Sequence, residues 1–361
     1  MGNTAVIVLT CVSLGLLCYA ATREKPPLVR SGPPSAELYS PCPAPAPDPA
    51  PVPFQEADLL GLIPISVVWS RGYFDLVHLD NPQIPMGYFM KPTEHLSPPD
   101  SMAKDFANLQ GWVWVRTGSH FNRPNDLEQF VRTVMPNITK PIRLISGDGD
   151  AGVPGSLVPG VADAILEHPM VNVWYTQNYD GSMNHPKIRP LPIGLDLHFG
   201  FNIAAEKRLT PLFRAAAESA IPAERQDAVF VGALGNTNPE RAVMYAALES
   251  TPHVIFSNQR VDYVDAMREY GRYRFAVSPR GNGIDCHRTW ELLTMRTIPI
   301  LLTSSIDSLF EKLPVVIVKD WAEVRDQSNL ERWFNEHAPK LELPGTTWIN
   351  RARFVDMSPL N

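Results

Sequence analysis

The chain is poor in cysteine, in charged residues and in basic runs. Only four of its 361 residues are cysteines, and their spacing shows neither a zinc-binding pattern nor an even disulfide framework. The fold must therefore be held by a hydrophobic core, for which a hydrophobic content of 44% is ample. The net charge of -6 and the lack of a long basic run argue against a sequence-independent nucleic-acid binder.

Long apolar runs are also absent, except for one at the N-terminus. Residues 5–21, AVIVLTCVSLGLLCYAA, are 17 residues without a charge, which is the short limit for spanning a bilayer. Arg23, Lys25 and Arg30 follow the run, the reverse of the positive-inside arrangement of a type II anchor. We predict a signal anchor in residues 1–25, with a cleaved signal peptide as the alternative. Either one directs the rest of the chain into the secretory pathway.

Proline, by contrast, is abundant and unevenly placed. Residues 26–53 contain 11 of the 36 prolines, a composition that favours extended polyproline II and prevents a packed core. We predict a stem here that holds a folded domain away from a membrane. A disordered linker after a signal sequence explains the same composition equally well.

From about residue 54 onward, apolar strand-like runs alternate with amphipathic stretches, which predicts an α/β fold with doubly wound parallel sheets. The alternation divides into two Rossmann-like halves, residues 54–222 and 223–361, and two such halves imply a cleft at the carboxyl ends of their strands. A helix is expected over 124–135, capped by Asn125 or Asp126. The predicted strands are 111–117, 142–146, 171–175 and 191–195 in the first half and 227–232, 254–256, 274–278, 298–302 and 315–318 in the second.

One segment, SPRGNGIDCHRTWELLTMRTIPILL, carries the strongest chemical signal. Gly281 and Gly283 follow a predicted strand and permit backbone conformations closed to other residues, so that a ligand can approach the chain closely. Asp285 is a candidate N-cap for the helix that follows. A helix N-terminus preceded by glycines is a ready anion site, and Arg280 and Arg288 add positive charge that can hold a diphosphate.

Arg288 and Glu291 are three residues apart on that predicted helix, so they share one face. A carboxylate one turn beyond a phosphate site can accept hydrogen bonds from two ribose hydroxyls, and we predict this role for Glu291. The alternative is an ion pair between the two side chains on a solvated helix. A dinucleotide-binding Rossmann site fits less well, because the loop lacks the third glycine of that fingerprint.

This segment resembles the C-terminal motif of the exostosin-like glycosyltransferases. The likeness covers roughly residues 230–324, and it departs from the family at His287, at Trp290 and at Arg296-Thr297. These departures concern the identity of the donor rather than the contacts to its phosphate and ribose. The residues that carry the likeness are, in order, Pro279, Gly281, Gly283, Arg288, Glu291, Ile298 and Pro299.

The resemblance implies a GT-B enzyme, a hexosyl- or pentosyltransferase that moves a sugar from a nucleotide sugar to a glycan or glycoprotein. Such enzymes are commonly inverting and metal-independent, so no cofactor is expected, and similar proteins place an arginine on the donor phosphate where this chain has Arg241. They are typically single-pass proteins of the Golgi or endoplasmic reticulum membrane with a lumenal catalytic domain. In a lumenal protein, the sequon Asn137-Ile138-Thr139 predicts N-glycosylation.

Polar residues at predicted strand ends of the first half are candidates for holding the acceptor. An inverting transfer needs one general base within hydrogen-bond reach of the acceptor hydroxyl. We predict Asp150 as this base and His185 as a second catalytic residue, with Asp148 and His198 as the other candidates. The alternative for each is a loop-capping carboxylate or a structural histidine.

Two other functions stay open. Asp148-Gly149-Asp150 also matches the Asp-x-Asp pattern of metal-dependent, GT-A-like glycosyltransferases, in which paired carboxylates hold a divalent cation against the diphosphate. A non-catalytic nucleotide-sugar or glycan-binding protein would carry the same donor motif but would lack the general base.

Overall fold

The computed structural model describes residues 67–90, 97–117, 125–197 and 208–358. The predicted anchor, the proline-rich stem and the candidate base His198 lie outside the described residues. All described residues belong to one compact unit, Ala50–Asn361. Within the described ranges, no helix combines the length and the hydrophobicity that a membrane crossing requires.

Three short helices precede the first sheet, and the sequence patterns did not predict them. They are α1 (Phe74–Asp80), α2 (Met86–Met90) and α3 (Pro99–Asp105). Aromatic side chains from this region pack together, with the Tyr88 ring centred 5.0 Å from that of Phe106 and 5.8 Å from that of Trp114. These edge-on ring contacts attach the helices to the sheet that follows.

Four parallel strands form the first sheet: β1 (Gly111–Arg116), β2 (Ile142–Gly147), β3 (Val171–Thr176) and β4 (Ile188–Pro190). Their spatial order is β1-β2-β3-β4. β1 and β2 are buried along nearly their whole length because both faces of a parallel sheet are covered. The strands predicted at 111–117, 142–146 and 171–175 are confirmed.

The strand predicted at 191–195 is wrong, because β4 begins earlier and ends at Pro190. Proline has no N–H to donate, so Pro190 and Pro192 stop the hydrogen-bond ladder. In the irregular segment that follows, Gly194 adopts a left-handed φ of 69°. A Cβ on Gly194 would lie 2.1 Å from the Val68 carbonyl oxygen. Glycine is therefore required there, both by its φ and by the approach of the neighbouring backbone.

Two helices connect the first three strands: α4 (Asp126–Thr133) and α5 (Val161–Glu167). α4 begins with a capping box. The Asn125 side-chain oxygen accepts a hydrogen bond from the Glu128 N–H at 2.9 Å, and the Glu128 carboxylate accepts one from the Asn125 N–H at 3.4 Å. Asn125 is thereby confirmed as the cap of the predicted helix.

Five parallel strands form the second sheet: β5 (Gln226–Val231), β6 (Val254–Phe256), β7 (Tyr273–Val277), β8 (Ile298–Leu302) and β9 (Val316–Val318). Their spatial order is β6-β5-β7-β8-β9. The chain thus leaves β5 toward one side and returns on the other side with β7. Loops that follow such neighbouring strands diverge and leave a crevice, the switch point of an open α/β sheet. The strands predicted in this half are confirmed to within about one residue at each end.

Helices cover both faces of the second sheet: α6 (Thr210–Glu218), α7 (Pro239–Leu248), α8 (Tyr263–Tyr270), α9 (His287–Thr294) and α10 (Gln327–Leu341). α6, α8 and α9 pack against one another on one face. α7 and α10 supply Met244, Leu330 and Trp333 to a separate core on the other face. α9 is anchored by the fully buried Trp290, whose ring is centred 5.8 Å from that of Phe310.

The last described segment returns from the second sheet to the first half of the chain. The Val68 N–H donates to the Ile349 carbonyl oxygen at 2.7 Å, and Arg351 forms an ion pair with Asp75. The Asp356 N–H donates to a Tyr175 hydroxyl at 3.0 Å on the first sheet. These contacts attach the C-terminal segment, which follows the second sheet, to the first half of the chain.

The predicted fold class is confirmed as α/β with parallel sheets, one of four strands and one of five. The first sheet lies before the predicted boundary at residues 222 and 223, and the second lies after it. The division into two separate domains stays a prediction, since both sheets belong to one compact unit.

Candidate functional site

The candidate site lies at the switch point of the second sheet. We call residues 279–286, which join the carboxyl end of β7 to α9, the glycine loop. Residues 232–238, which follow β5, are the β5 loop. Because β5 and β7 are neighbours, the two loops lie side by side at the edge where open α/β sheets bind ligands. The predicted anion-binding segment is thus at the position that the topology favours.

The start of α9 differs from the prediction. Its N-cap is Cys286, so Asp285 as the cap is wrong. The Asp285 carboxylate instead accepts hydrogen bonds from three donors: the main-chain N–H groups of Ile193 (2.7 Å) and Cys286 (2.8 Å) and the Trp290 indole N–H (2.9 Å). Burial raises the pKa of Asp285 to about 6, although these donors favour the ionised form. Asp285 therefore joins the glycine loop to the first half of the chain.

The two loop glycines are needed because other side chains pack closely against them, and not because the backbone has an unusual conformation. Neither Gly281 nor Gly283 has a positive φ, so the predicted glycine-only conformation is wrong. A Cβ on Gly283 would lie 2.7 Å from the Asn178 side-chain oxygen. A Cβ on Gly281 would lie 3.3 Å from an Arg241 guanidinium nitrogen. The atoms that approach the two glycines closely therefore belong to other residues of the protein.

Arg241 ties the β5 loop to the glycine loop. Its Nε donates to the Arg280 carbonyl oxygen at 3.0 Å, and its Nη1 donates to the Gly235 carbonyl oxygen at 2.7 Å. The Arg280 side chain lines the crevice beside the loop, and its Nε has no hydrogen-bond partner within the described part of the chain. The structure thus brings together Arg241, Arg280 and Gly281, as predicted for a phosphate site.

Arg288 is partly buried on the first turn of α9. Its Nη2 donates to the Ala233 carbonyl oxygen at 3.2 Å, and its guanidinium carbon lies 5.6 Å from the centre of the Tyr270 ring. Among the ion pairs of the described residues, none joins Arg288 to Glu291. The direct ion pair that their spacing allows therefore does not form, although each of the two charges still acts on the pKa of the other group.

Glu291 lies on the side of α9 that faces the first half, and it is only 8% exposed. Burial raises the pKa of its carboxyl, against the lowering influence of His287, and the Asp196 charge raises it further. Burial, and after it the Glu291 charge, raises the pKa of the Tyr263 hydroxyl. His287 contacts the Gly194 carbonyl oxygen at 2.7 Å, which places this face of the helix against the segment after β4.

A polar crevice of about 510 Å³ lies between residues of the two halves. A smaller cavity of about 80 Å³, between the start of α9 and the end of β8, shares Arg280 with it. A third cavity, of about 400 Å³, includes Asp227 and Arg274 at the amino ends of β5 and β7, the opposite edge of the sheet. The crevice is lined by Asp150, Ser156 and Asp180 from the first half and by Arg280, Asn282 and Ser304 from the second.

The aspartates of the Asp-x-Asp pattern have different partners. Asp148 is buried, and its carboxylate forms an ion pair with Arg71 at 2.9 Å. Asp150 faces the crevice, with its Oδ2 3.4 Å from the Asn282 side-chain nitrogen. Because a guanidinium already neutralises Asp148, the two carboxylates are not arranged as a pair of free ligands. No group of three or more metal-binding side chains occurs among the residues described.

His185 is not brought together with Asp150. It lies three residues before β4, where the side chain of Lys187 donates to the His168 carbonyl oxygen at 3.0 Å, at the amino edge of the first sheet. Asp150 follows the carboxyl end of β2, at the opposite edge. The strand-end reasoning fails for His185 because the chain after β3 runs back across the sheet before β4 begins.

Two further side chains shape the site without having been predicted to do so. Asn178 accepts hydrogen bonds from the N–H groups of Ile284 and Asp285 in the glycine loop, at 2.8 and 3.1 Å. Tyr263, at the start of α8, interacts electrostatically with Glu291. The one sequence signal for Asn178 is that it lies close after the end of a strand, and no pattern marks Tyr263.

Neither a protein-family model nor a curated protein matches this chain. The resemblance to the exostosin-like glycosyltransferases therefore stays a prediction based on its motif residues. Function has to be inferred from the geometry of the site itself.

Proposed function

We propose that the chain is a glycosyltransferase that moves a sugar from a nucleotide-sugar donor to a hydroxyl group of a glycan or glycoprotein. One observation carries the proposal: arginines and a helix N-terminus meet at the switch point of a parallel sheet, with a buried carboxylate one turn along the helix. Arginine side chains and free N–H groups bind phosphate. The two sheets would then be the cores of two Rossmann-like domains of the GT-B type.

The donor diphosphate would lie between the β5 loop and the start of α9. Arg280 has unused donor capacity, and Arg241 and Arg288 add positive charge while holding the loops through carbonyl oxygens. The Glu291 carboxylate, one turn further along, would accept hydrogen bonds from the ribose hydroxyls. As the nucleoside diphosphate leaves, its growing negative charge would be stabilised by fixed dipoles and guanidinium groups rather than by solvent.

Asp150 is the residue best placed to act as the general base. It lines the same crevice as Arg280, and the contact to Asn282 leaves its second carboxylate oxygen available. In an inverting step, Asp150 would take the proton of the acceptor hydroxyl while that oxygen attacks the anomeric carbon. The bond from that carbon to the diphosphate oxygen breaks at the same time. His185 is left out of this proposal because it lies at the other edge of the first sheet.

The arrangement of Asp148 supports a metal-independent reaction over the Asp-x-Asp alternative. A metal site would need both carboxylates, yet Asp148 is 3% exposed and paired with Arg71. Removing Asp148 from that pair would leave an uncompensated buried guanidinium, which is strongly unfavourable. We also propose, from the N-terminal apolar run and the stem, that the enzyme is a membrane-anchored protein of the Golgi or endoplasmic reticulum with its catalytic part in the lumen.

The donor site is tested by calorimetric titration with uridine diphosphate and guanosine diphosphate. Glu291→Gln keeps the shape of the side chain but removes its charge, and hydrogen bonds to a charged group are worth about 1.5–3 kcal/mol each. We therefore expect the nucleotide that binds the wild type to bind the variant at least about tenfold more weakly. Glu249→Gln, at the exposed end of α7, is the matched control and should leave binding unchanged. Wild-type affinity in Glu291→Gln would refute the donor-site assignment.

Turnover is tested by hydrolysis of nucleotide sugars with and without EDTA. We expect hydrolysis to be independent of EDTA, because the diphosphate charge is stabilised by arginines. Strict metal dependence would favour the Asp-x-Asp alternative instead. Nucleotide binding without turnover under either condition would indicate the non-catalytic binding protein.

A further inference from the structure

We propose that Asn178 is a positioning residue that fixes the glycine loop against the Gly149–Asp150 turn. It thereby keeps the donor site and the general base at a fixed distance and orientation. The functional part of this inference rests on the proposed function. Its structural part, that one side chain of the first half orders the glycine loop, does not. The two parts are tested by separate measurements.

The Asn178 amide bonds to both segments at once. Its oxygen accepts hydrogen bonds from the main-chain N–H groups of Ile284 at 2.8 Å and Asp285 at 3.1 Å. Its nitrogen donates to the Gly149 carbonyl oxygen at 2.7 Å. Only the oxygen can accept and only the nitrogen can donate, so the three partners determine the orientation of the amide. Asn178 thus links the residue before Asp150 to the loop that precedes α9.

The backbone of Asn178 is held in an uncommon conformation. Its φ of 52° is in the left-handed region, which asparagine tolerates better than most residues. Asn178 lies two residues after the end of β3 and is 1% exposed. A strained and fully buried amide at a strand end, with all its bonds directed at two loops, indicates a side chain retained for those loops.

Gly283 completes the arrangement. A Cβ at this position would lie 2.7 Å from the Asn178 side-chain oxygen and 2.9 Å from its nitrogen. Since the φ of Gly283 is not positive, the lack of a side chain is needed for the approach of Asn178 and not for the backbone. The Asn178 side chain therefore occupies the space that a side chain at position 283 would fill. The two residues pack against each other across the two halves of the chain.

Two neighbouring contacts, made by Asp285 and His287, hold the same end of the glycine loop but do not reach the base. Asp285 accepts from the Ile193 N–H at 2.7 Å, and His287 contacts the Gly194 carbonyl oxygen at 2.7 Å. Both connect the loop to the segment after β4. Asn178 connects it to the turn that carries Asp150, so a change at Asn178 should act on the relative placement of donor and base.

The variants separate the two sets of bonds. Asn178→Gly removes the whole amide, and glycine tolerates the left-handed φ without strain. Asn178→Asp also tolerates it and can still accept from the two loop N–H groups, but it has no proton to donate to Gly149. Gly283→Ala introduces the methyl group that would meet Asn178. The double variant Asn178→Gly, Gly283→Ala contains the methyl group but nothing for it to meet.

The structural part is read by hydrogen exchange of the Ile284 and Asp285 amides in the protein without any ligand. In Asn178→Gly we expect exchange to be roughly fivefold faster or more, the value of one lost hydrogen bond, and in Asn178→Asp we expect protection to remain. Gly283→Ala should lower the melting temperature in the wild-type background but not further in the Asn178→Gly background. Unchanged exchange in Asn178→Gly, or fully additive effects of the two substitutions, would overturn the inference.

The functional part is read by comparing turnover with nucleotide affinity. In Asn178→Gly, which adds no charge beside the proposed anion site, kcat should fall at least roughly tenfold while the nucleotide affinity changes less, because the base is displaced from the reacting atoms. A purely structural role would leave kcat unchanged in the folded variant, and that result would overturn the positioning role. Faster exchange in Asn178→Gly, together with a wild-type protein that binds no nucleotide, would support loop ordering and refute the proposed glycosyltransferase.

Discussion

Asp285 is expected to make the stability of the protein depend on pH in a direction opposite to that of most carboxylates. Burial raises the pKa of Asp285 from 3.8 to about 6. The native state therefore binds more protons than the unfolded state between those values, and the free energy of unfolding falls as pH rises through them. The stabilisation from the protonated form is complete below about pH 4 and lost above about pH 6.

A pKa raised from 3.8 to about 6 corresponds to about 3 kcal/mol. Asp285→Asn cannot ionise, so the variant lacks this dependence. It does carry a fixed cost of about 1–3 kcal/mol, because its amide N–H₂ faces donors that bond to the carboxylate in the wild type. The informative quantity is therefore the difference in unfolding free energy between variant and wild type, followed as a function of pH.

The measurement is urea unfolding of both proteins at several pH values from 4 to 7. Other titrating groups cancel in the difference, so we expect it to shift in favour of Asp285→Asn by up to about 3 kcal/mol as pH rises. Asp163→Asn, at an exposed position on α5, should give a flat difference. A constant difference for Asp285→Asn would refute the raised pKa. A shift in favour of the wild type would mean that the three N–H donors outweigh burial.

Two other changes test further parts of the structure. Arg71→Met removes one partner of the buried Asp148 ion pair, so the free energy of unfolding should fall by about 3–5 kcal/mol. Arg268→Met, in an exposed pair, should change it by less than about 1 kcal/mol. A small effect at both positions would show that the Asp148 pair contributes little. Asn137 is exposed on a helical turn, so Asn137→Gln should abolish a glycosidase-sensitive mobility shift in a secretory host. Equal mobility of variant and wild type would argue against lumenal exposure.

The sequence alone predicted the elements whose residues act locally. The capping box at Asn125 involves residues three apart, and the strands of the second sheet are short apolar runs bounded by turn residues, so both can be read without knowing the fold. The error at 191–195 arose because the apolar side chains there are buried in a loop, while two prolines prevent a ladder. Apolar character indicates burial, but strand pairing also needs N–H donors.

The candidate site was predictable only in part, for a related reason. Arg280 was predicted from the glycine loop itself and Arg241 only from the resemblance to the exostosin-like motif, and both follow strands that adjoin at the switch point. Asn178, Ile193 and Gly194 come from the first half, and their contact with the glycine loop depends on how the two sheets pack. Packing of that kind has no periodic pattern in the sequence, so neither the role of Asn178 nor the reason for Gly283 could be predicted.

The arginines of the site have structural roles in addition to the binding role proposed for them. Arg241 uses two of its donor groups on carbonyl oxygens of the glycine loop and the β5 loop, and Arg288 uses one on the β5 loop. They therefore hold the loops in place before any ligand arrives. Binding then requires little ordering of either loop, which leaves more of the interaction energy available for affinity. A diphosphate would meet fixed guanidinium groups, an arrangement that stabilises charge in a transition state better than mobile side chains do.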